Sequence, residues 1–359
     1  MDAVLLPWLE HPLAQALAAV RGHALLVHGP QGVGQFEFAQ AMAAAWLCET
    51  PQASRRHGMA CGECASCQLV RARTHPDLLV LLPEALQEAL GFADGTESES
   101  ADGKKAKPSR EIKVDALRSA VAFAQQTSAR GVAKVVVLHP AERMNAISAN
   151  TLLKTLEEPP GAARFLLSCA APEALLPTIR SRCQSTRLAL PAPDEALAWL
   201  NAQKVTDAAV LLAAAGGQPL TVIERSATGV DATAWRRIPG EVASGLGATL
   251  AGWGLPLVID TLQKLCHDTL VSSLGQSARF FPAESLQPLV GHADLGALTA
   301  WGKALRQAAR TAEHPWNASL SVEALVLQAQ SALRPNAKDA TRGGTRVPAP
   351  RQASTTLRP

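Results

Sequence analysis

The chain of 359 residues lacks a charge excess of either sign: 34 Lys and Arg stand against 31 Asp and Glu, a formal net charge of +3. A dedicated nucleic-acid binder usually carries a strong basic surplus, so DNA binding is not marked as the main task of this chain, although a local basic patch is compatible with the totals. A cationic leader is missing as well. The N-terminus MDAVLLPWLEHPL places Asp2 and Glu10 where a secretory signal would carry positive charge, so secretion is not expected and the cytoplasm is the expected location. No uncharged run reads as a membrane span. The longest, Val242 to Ile259, holds four glycines and Pro256, which suits a turn between helices better than a transmembrane helix. There is no repeat at a fixed period. The cysteines also argue against a disulfide framework: there are seven, an odd number, and four of them cluster, which suits a cytosolic metal site better.

What is present is a long, apolar chain. Hydrophobic residues make up 47%, enough to bury a sizeable core in two or three domains. Four short apolar runs read as buried strands: HALLVHG from His23, HPDLLVLLPE from His75, AKVVVLHPAE from Ala133 and ARFLLSCA from Ala163. Helical patterns lie between them, including the Ala-rich FEFAQAMAAAWLC, Val114 to Gln126 and Asn145 to Glu158. Apolar strands alternating with helices predict an α/β domain with a parallel sheet covered on both faces. The polar stretch Gly91 to Arg110 interrupts this pattern and reads as a flexible insertion. Its Lys104, Lys105 and Lys107 read as a solvated loop, with a DNA-binding run as the sharper alternative. From about Pro193 the strand signal disappears and helical patterns run to about Leu333. The last stretch is rich in Pro, Gly, Ser, Thr and Arg and is expected to be disordered.

The run HGPQGVGQF after the first strand has the frame of a phosphate-binding loop. Gly29 and Gly34 have the spacing of G-x-x-x-x-G-K-[ST], and Gly32 lies between them. Gln35 stands where the Lys should be, and Phe36 where the magnesium-binding hydroxyl should be. The acidic pair that would end the third strand is replaced by His139 and Pro140. A loop ATPase needs the cation, the hydroxyl and the carboxylates together near the γ-phosphate. Their joint loss on two separated segments predicts a degenerate site that does not hydrolyse ATP. The glycines are then explained by the tight strand-to-helix turn alone.

Cys48, Cys61, Cys64 and Cys67 follow as C-x12-C-x2-C-x2-C. Four thiolates can complete a tetrahedral zinc shell, and with no position left for water the metal would be structural. Free or redox thiols and an iron–sulfur cluster are the competing readings. Cys169, Cys183 and Cys266 are isolated and read as packing residues.

NTLLKTLEEPP (Asn150 to Pro160), RFLLSC (Arg164 to Cys169) and PTIRSRC (Pro177 to Cys183) stand in an order and spacing that resemble the clamp-loader branch of the AAA+ family. CGECASCQLVRARTHPD (Cys61 to Asp77) adds to the likeness, which covers roughly residues 1 to 225. The zinc module is common to several members of the branch. The degenerate loop resembles the member that does not hydrolyse ATP rather than the gamma/tau ATPase. The resemblance implies an AAA+ core domain over residues 1–190, with a zinc module at 48–67 and the insertion at 91–110. A small helical lid over 191–237, an all-α collar over 238–335 and a tail over 336–359 would follow.

The resemblance further implies that Arg182, in the SRC motif, acts as an arginine finger in trans at a neighbour's ATP site. A guanidinium is permanently charged and forked to meet phosphate oxygens, which fits that role. The bland alternative is an intramolecular ion pair. The family's own-site sensor Arg would fall near GGQPLT (Gly216 to Thr221), where Pro219 stands instead. The implied function is a non-hydrolysing subunit of the DNA polymerase III holoenzyme, a non-catalytic part of a DNA-directed DNA polymerase, that helps load the sliding clamp onto primed DNA. The implied partners are gamma/tau, delta, the clamp and primer–template DNA in a hetero-oligomer, with structural zinc and no working ATP site. An active clamp-loader ATPase with an unusual site and a zinc-containing nucleic-acid adaptor are the alternatives.

Overall fold

The structure is a computed structural model that describes residues 5–92, 108–290, 294–312 and 317–334. Lys104, Lys105 and Lys107, most of the expected insertion and the expected tail lie outside the described residues. Two compact units divide the chain: Met1–Val205 with Gly217–Glu224, and Thr206–Gly216 with Arg225–Pro359. The chain therefore passes from one unit to the other at three points, all inside the stretch 191–237.

The first unit is built on a five-stranded parallel sheet: β1 (Ala24–His28), β2 (Leu78–Leu81), β3 (Lys134–Leu138), β4 (Ala163–Cys169) and β5 (Gln184–Arg187) in the order β2-β3-β4-β1-β5. The four strands expected from apolar runs are β1 to β4. β5 was not expected, and its sequence explains why. QSTR is polar and mostly exposed, as an edge strand can be, since only one neighbour demands hydrogen bonds and little of its surface meets a core.

Alternation along the strands feeds two cores, because successive side chains of a strand point to opposite faces. Leu25, Val27, Val135, Val137 and Leu166 face the Ala-rich helix Gln35–Leu47 and the N-terminal Trp8, Leu9 and Leu13. Leu26, Val136, Leu138, Phe165 and Leu167 face the helices Val114–Gln125 and Ala146–Glu157. The Leu152 and Leu156 stripe of NTLLKTLEEPP is buried in this second core, and Leu153 packs against it. Asn145 starts that helix by accepting a hydrogen bond from Ser148 N at 2.9 Å, and the Pro159–Pro160 pair lies just past its end.

The second unit is helical, with long helices at Ala232–Ala243, Leu255–Ser273, Leu295–Arg310 and Ala318–Leu333 around Trp235, Ile238, Leu262, Leu265, Leu298 and Leu305. Asp231 and Asp294 cap two of these helices through Ala234 N and Ala297 N. The uncharged run Val242 to Ile259 is mostly the turn between two helices. Among the described residues no helix is long and apolar enough to cross a membrane. Asp268, fully buried, accepts from the backbone N–H groups of Arg279, Phe280 and Phe281 at 3.0, 2.7 and 2.8 Å. This ties a loop to the helix face, and there Trp235 stacks on Phe281 with ring centroids 4.5 Å apart.

Candidate phosphate loop, cysteine cluster and Arg182

The central strand β1 delivers the loop Gly29–Gly34 to the N-terminus of the helix Gln35–Leu47, the place where α/β folds of this kind hold phosphate. Gly34 caps that helix at φ 100°, a left-handed conformation that side-chain-bearing residues rarely adopt, and a Cβ there would lie 2.7 Å from Leu6 Cδ1.

The side chains of this turn are engaged by the chain itself. Gln35 is buried, and its Nε2 donates to the carbonyls of Gly29 and Pro30, both at 2.7 Å. Phe36 stacks on the His139 imidazole, centroids 4.8 Å apart and planes 29° from parallel, and meets Phe92 edge-on at 6.0 Å. The two positions that the sequence pattern reserves for a hydroxyl and a carboxylate are thus joined as a ring pair. Burial pushes the His139 imidazole down to about 4, against a smaller upward pull from its Ser168 hydrogen bond. Trp8 Nε1 donates to Val33 O at 2.8 Å and fastens the N-terminal segment over the loop.

GGQPLT meets the same loop. Leu220 N donates to Gly32 O at 3.1 Å, and Thr221 lies where a Cβ on Gly32 would fall. Gly217–Glu224 belongs to the sheet unit, so this contact is internal to it. Pro219, at the expected sensor position, begins the helix Pro219–Ala227 and is buried.

The four clustered cysteines converge. Their sulfurs all lie within 4.8 Å of one another, with Cys48–Cys64 and Cys61–Cys67 at 3.9 Å. A tetrahedron with ~2.3 Å zinc–sulfur bonds separates its sulfurs by about 3.8 Å, so Cys48–Cys64 and Cys61–Cys67 stand at that spacing and the four together could hold a metal ion. The thiol of Cys61 is held at about 6, first by the Thr50 hydroxyl at 3.1 Å and then by the backbone N–H groups of Cys64 and Glu63. A thiolate so stabilised is already in the form that a metal ligates. Burial raises the thiol of Cys67 within the same cluster, and it pushes the isolated thiols of Cys169 and Cys183 up to about 12 and that of Cys266 up to about 11, which suits inert packing at those three.

Arg182 follows the short helix Pro177–Arg180. Its Nη1 donates to Thr178 O at 2.8 Å and its Nη2 pairs with the Glu157 carboxylate. Its buried Nε has no partner among the described residues. The pair is partly exposed, 31% for the Arg182 side chain and 47% for Glu157.

A cluster that the motifs did not single out underlies the cysteines. Asp77 is fully buried, pairs with Lys134 at 3.0 Å, and accepts from Ala129 N, Arg130 N and Ser128 Oγ at 2.8, 2.9 and 3.0 Å. Burial alone would raise its carboxyl, but these donors outweigh it and hold the group at about 2. The available signal was an Asp placed directly before an apolar strand and a Lys opening the next one, two charges that a buried sheet tolerates only as partners.

The family model described as "DNA polymerase III, delta subunit" matches residues 10–192. The DNA polymerase III subunit delta' of Pseudomonas aeruginosa is 40% identical over 230 residues, 62% of this chain and 62% of that protein. This chain thus spans less than two thirds of that relative's length. The DNA polymerase III subunit delta' of Yersinia pestis is 31% identical over 305 residues, 82% of this chain and 73% of the relative. Among solved structures, a DNA polymerase III gamma subunit-related protein from Thermotoga maritima aligns with 90% of this chain and 99% of its own, at 16% identity and a TM-score of 0.43.

Proposed function

The chain belongs to the delta-prime family of DNA polymerase III subunits, and on that premise we propose that it is a non-hydrolysing clamp-loader subunit that lends Arg182 to a neighbour's ATP site. The observation that carries the first half is the interior of the phosphate loop. Gln35 spends its amide on the loop's own carbonyls, and Phe36 and His139 close on each other where magnesium would be bound. A γ-phosphate arriving there would miss the Lys at position 35, the hydroxyl at position 36 and the acidic pair after β3, which hydrolysis needs together. The glycine frame persists because the turn and the Leu220–Gly32 contact need it.

The proposed partners are gamma/tau, delta, the sliding clamp and primer–template DNA, the last bound mostly through phosphates. The three-part division into a core, a lid over 191–237 and a collar over 238–335 belongs to the same proposal, as do structural zinc at the four cysteines and action in the cytoplasm. The Arg182–Glu157 pair supports a second reading, in which Arg182 is a local brace and never leaves the chain.

Clamp- and DNA-stimulated ATPase of the reconstituted loader separates the two readings. With Arg182→Ala, the trans finger predicts a rate lower by about a thousandfold or more per affected site while the complex still assembles. An unchanged rate leaves only the brace. ATP hydrolysis by the isolated chain would overturn the non-hydrolysing reading.

A further inference from the structure

The cysteine cluster is joined to the sheet by a closed circuit of polar contacts that passes through Ser66 and His75. Ser66 lies beside Cys67 and is fully buried; its Oγ donates to Leu47 O at 2.6 Å, and Leu47 directly precedes Cys48. The two ends of the ligand set are therefore linked by one hydroxyl. His75, also buried, sits 2.8 Å from that hydroxyl through Nε2. Its Nδ1 accepts from Asp77 N at 3.0 Å. An Nδ1 that accepts a hydrogen bond carries no proton, so the neutral ring bears its proton on Nε2 and donates it to Ser66 Oγ. Each donor in this chain then has one acceptor: His75 to Ser66, Ser66 to Leu47. The circuit closes on the far side, where Asp77 holds the turn at Ala129 and Arg130, and Arg130 pairs with Glu49 at 2.6 Å, immediately after Cys48.

We propose that Ser66 and His75 are positioning residues of the metal centre, holding Cys48 and Cys67 at ligating distance by tying both to β2 and β3. Neither touches the metal. Their work is to keep two ligands that are 19 residues apart in sequence, 48 and 67, from separating when the metal is exchanged. Partners that orient first ligands in this way usually set metal affinity within one to two orders of magnitude. The inference rests on the reading of the four cysteines as a zinc site.

Zinc affinity of the full chain, measured by competition with a chromogenic chelator, tests it. The zinc content of purified wild-type protein is measured first, by native mass spectrometry. If it carries no zinc, the metal reading itself falls and this inference with it. If it carries one zinc, Ser66→Ala and His75→Ala are expected to weaken zinc about ten- to a hundredfold. His75→Gln, which keeps a donor near the place of Nε2, is expected to lie closer to wild type than His75→Ala. Ser66→Ala removes a single oxygen and decides the matter if His75→Ala does not fold. A variant that melts at a lower temperature yet holds zinc as tightly as wild type shows a merely structural role and overturns the proposal.

Discussion

Phe36 and His139, two residues after the phosphate loop and one after β3, lie ring on ring 4.8 Å apart. The pair is apolar on the Phe side and neutral on the His side, and Phe36 is only 5% exposed. Removing the ring would open a cavity between the loop helix and β3, because rigid strands and helix cannot close the gap. Phe36→Ala is expected to cost about 3 kcal/mol, the lower end for a buried phenyl ring. Urea unfolding followed by circular dichroism should show a lower midpoint with the same slope.

His139 also sets a pH dependence. Its folded value, about 4, lies below the ordinary 6.5 because burial disfavours the cation. The neutral ring is therefore native, and its contribution is complete above about pH 6.5. As pH falls from 6.5 toward 4 the unfolded chain takes up a proton that the folded chain does not, so stability declines across that window and levels off below it. A His139→Gln variant should lose that slope, as read from melting temperatures at successive pH values.

Asp77 has the opposite sign and a lower window. Held at about 2 against an ordinary 3.8, its carboxylate stabilises the fold above about pH 4, and the contribution is lost as pH falls toward 2. At neutral pH, Asp77→Asn strands the buried Lys134 ammonium without its counter-charge and is expected to cost about 3 kcal/mol. Asp77→Asn combined with Lys134→Met should recover much of that loss, which a double-mutant cycle by urea unfolding would register.

The Arg182–Glu157 pair should matter little to the isolated chain. Both groups reach solvent, and pairs of that kind contribute less than about 1 kcal/mol. Glu157→Gln is therefore expected to leave the urea midpoint nearly unchanged. A large drop would mark the pair as part of the architecture and count against a guanidinium available to a neighbour.

Much of this molecule could be read from residue patterns, and the reasons are local. KVVVL and ARFLLSC are apolar and β-branched or aromatic because both faces of β3 and β4 are buried, so burial wrote itself into the sequence. The convergence of the four cysteines was legible because the x2 spacings already bring neighbouring sulfurs close together. β5 was not, since an edge strand of Gln, Ser, Thr and Arg carries no apolar signature. The buried polar network of Ser66, His75, Asp77 and Lys134 was not legible either. Its members lie up to 68 positions apart, 66 and 134, and each alone is an ordinary polar residue; only the sheet brings them together. The filling of the phosphate loop was half legible. The wrong residue types at 35 and 36 were plain, but the direction of the Gln35 amide and the ring pair across to His139 required coordinates.

The three passages of the chain between its two units bear on how the molecule can be cut. A fragment ending at Val205 would retain every strand, yet Gly32 would lose the N–H of Leu220 and the cover of Thr221. A fragment ending at Glu224 would retain that cover but drag along Thr206–Gly216, whose Ala214 would be stripped of the helical core it packs in. Neither truncation yields a clean half. Expression boundaries therefore belong outside residues 205–225.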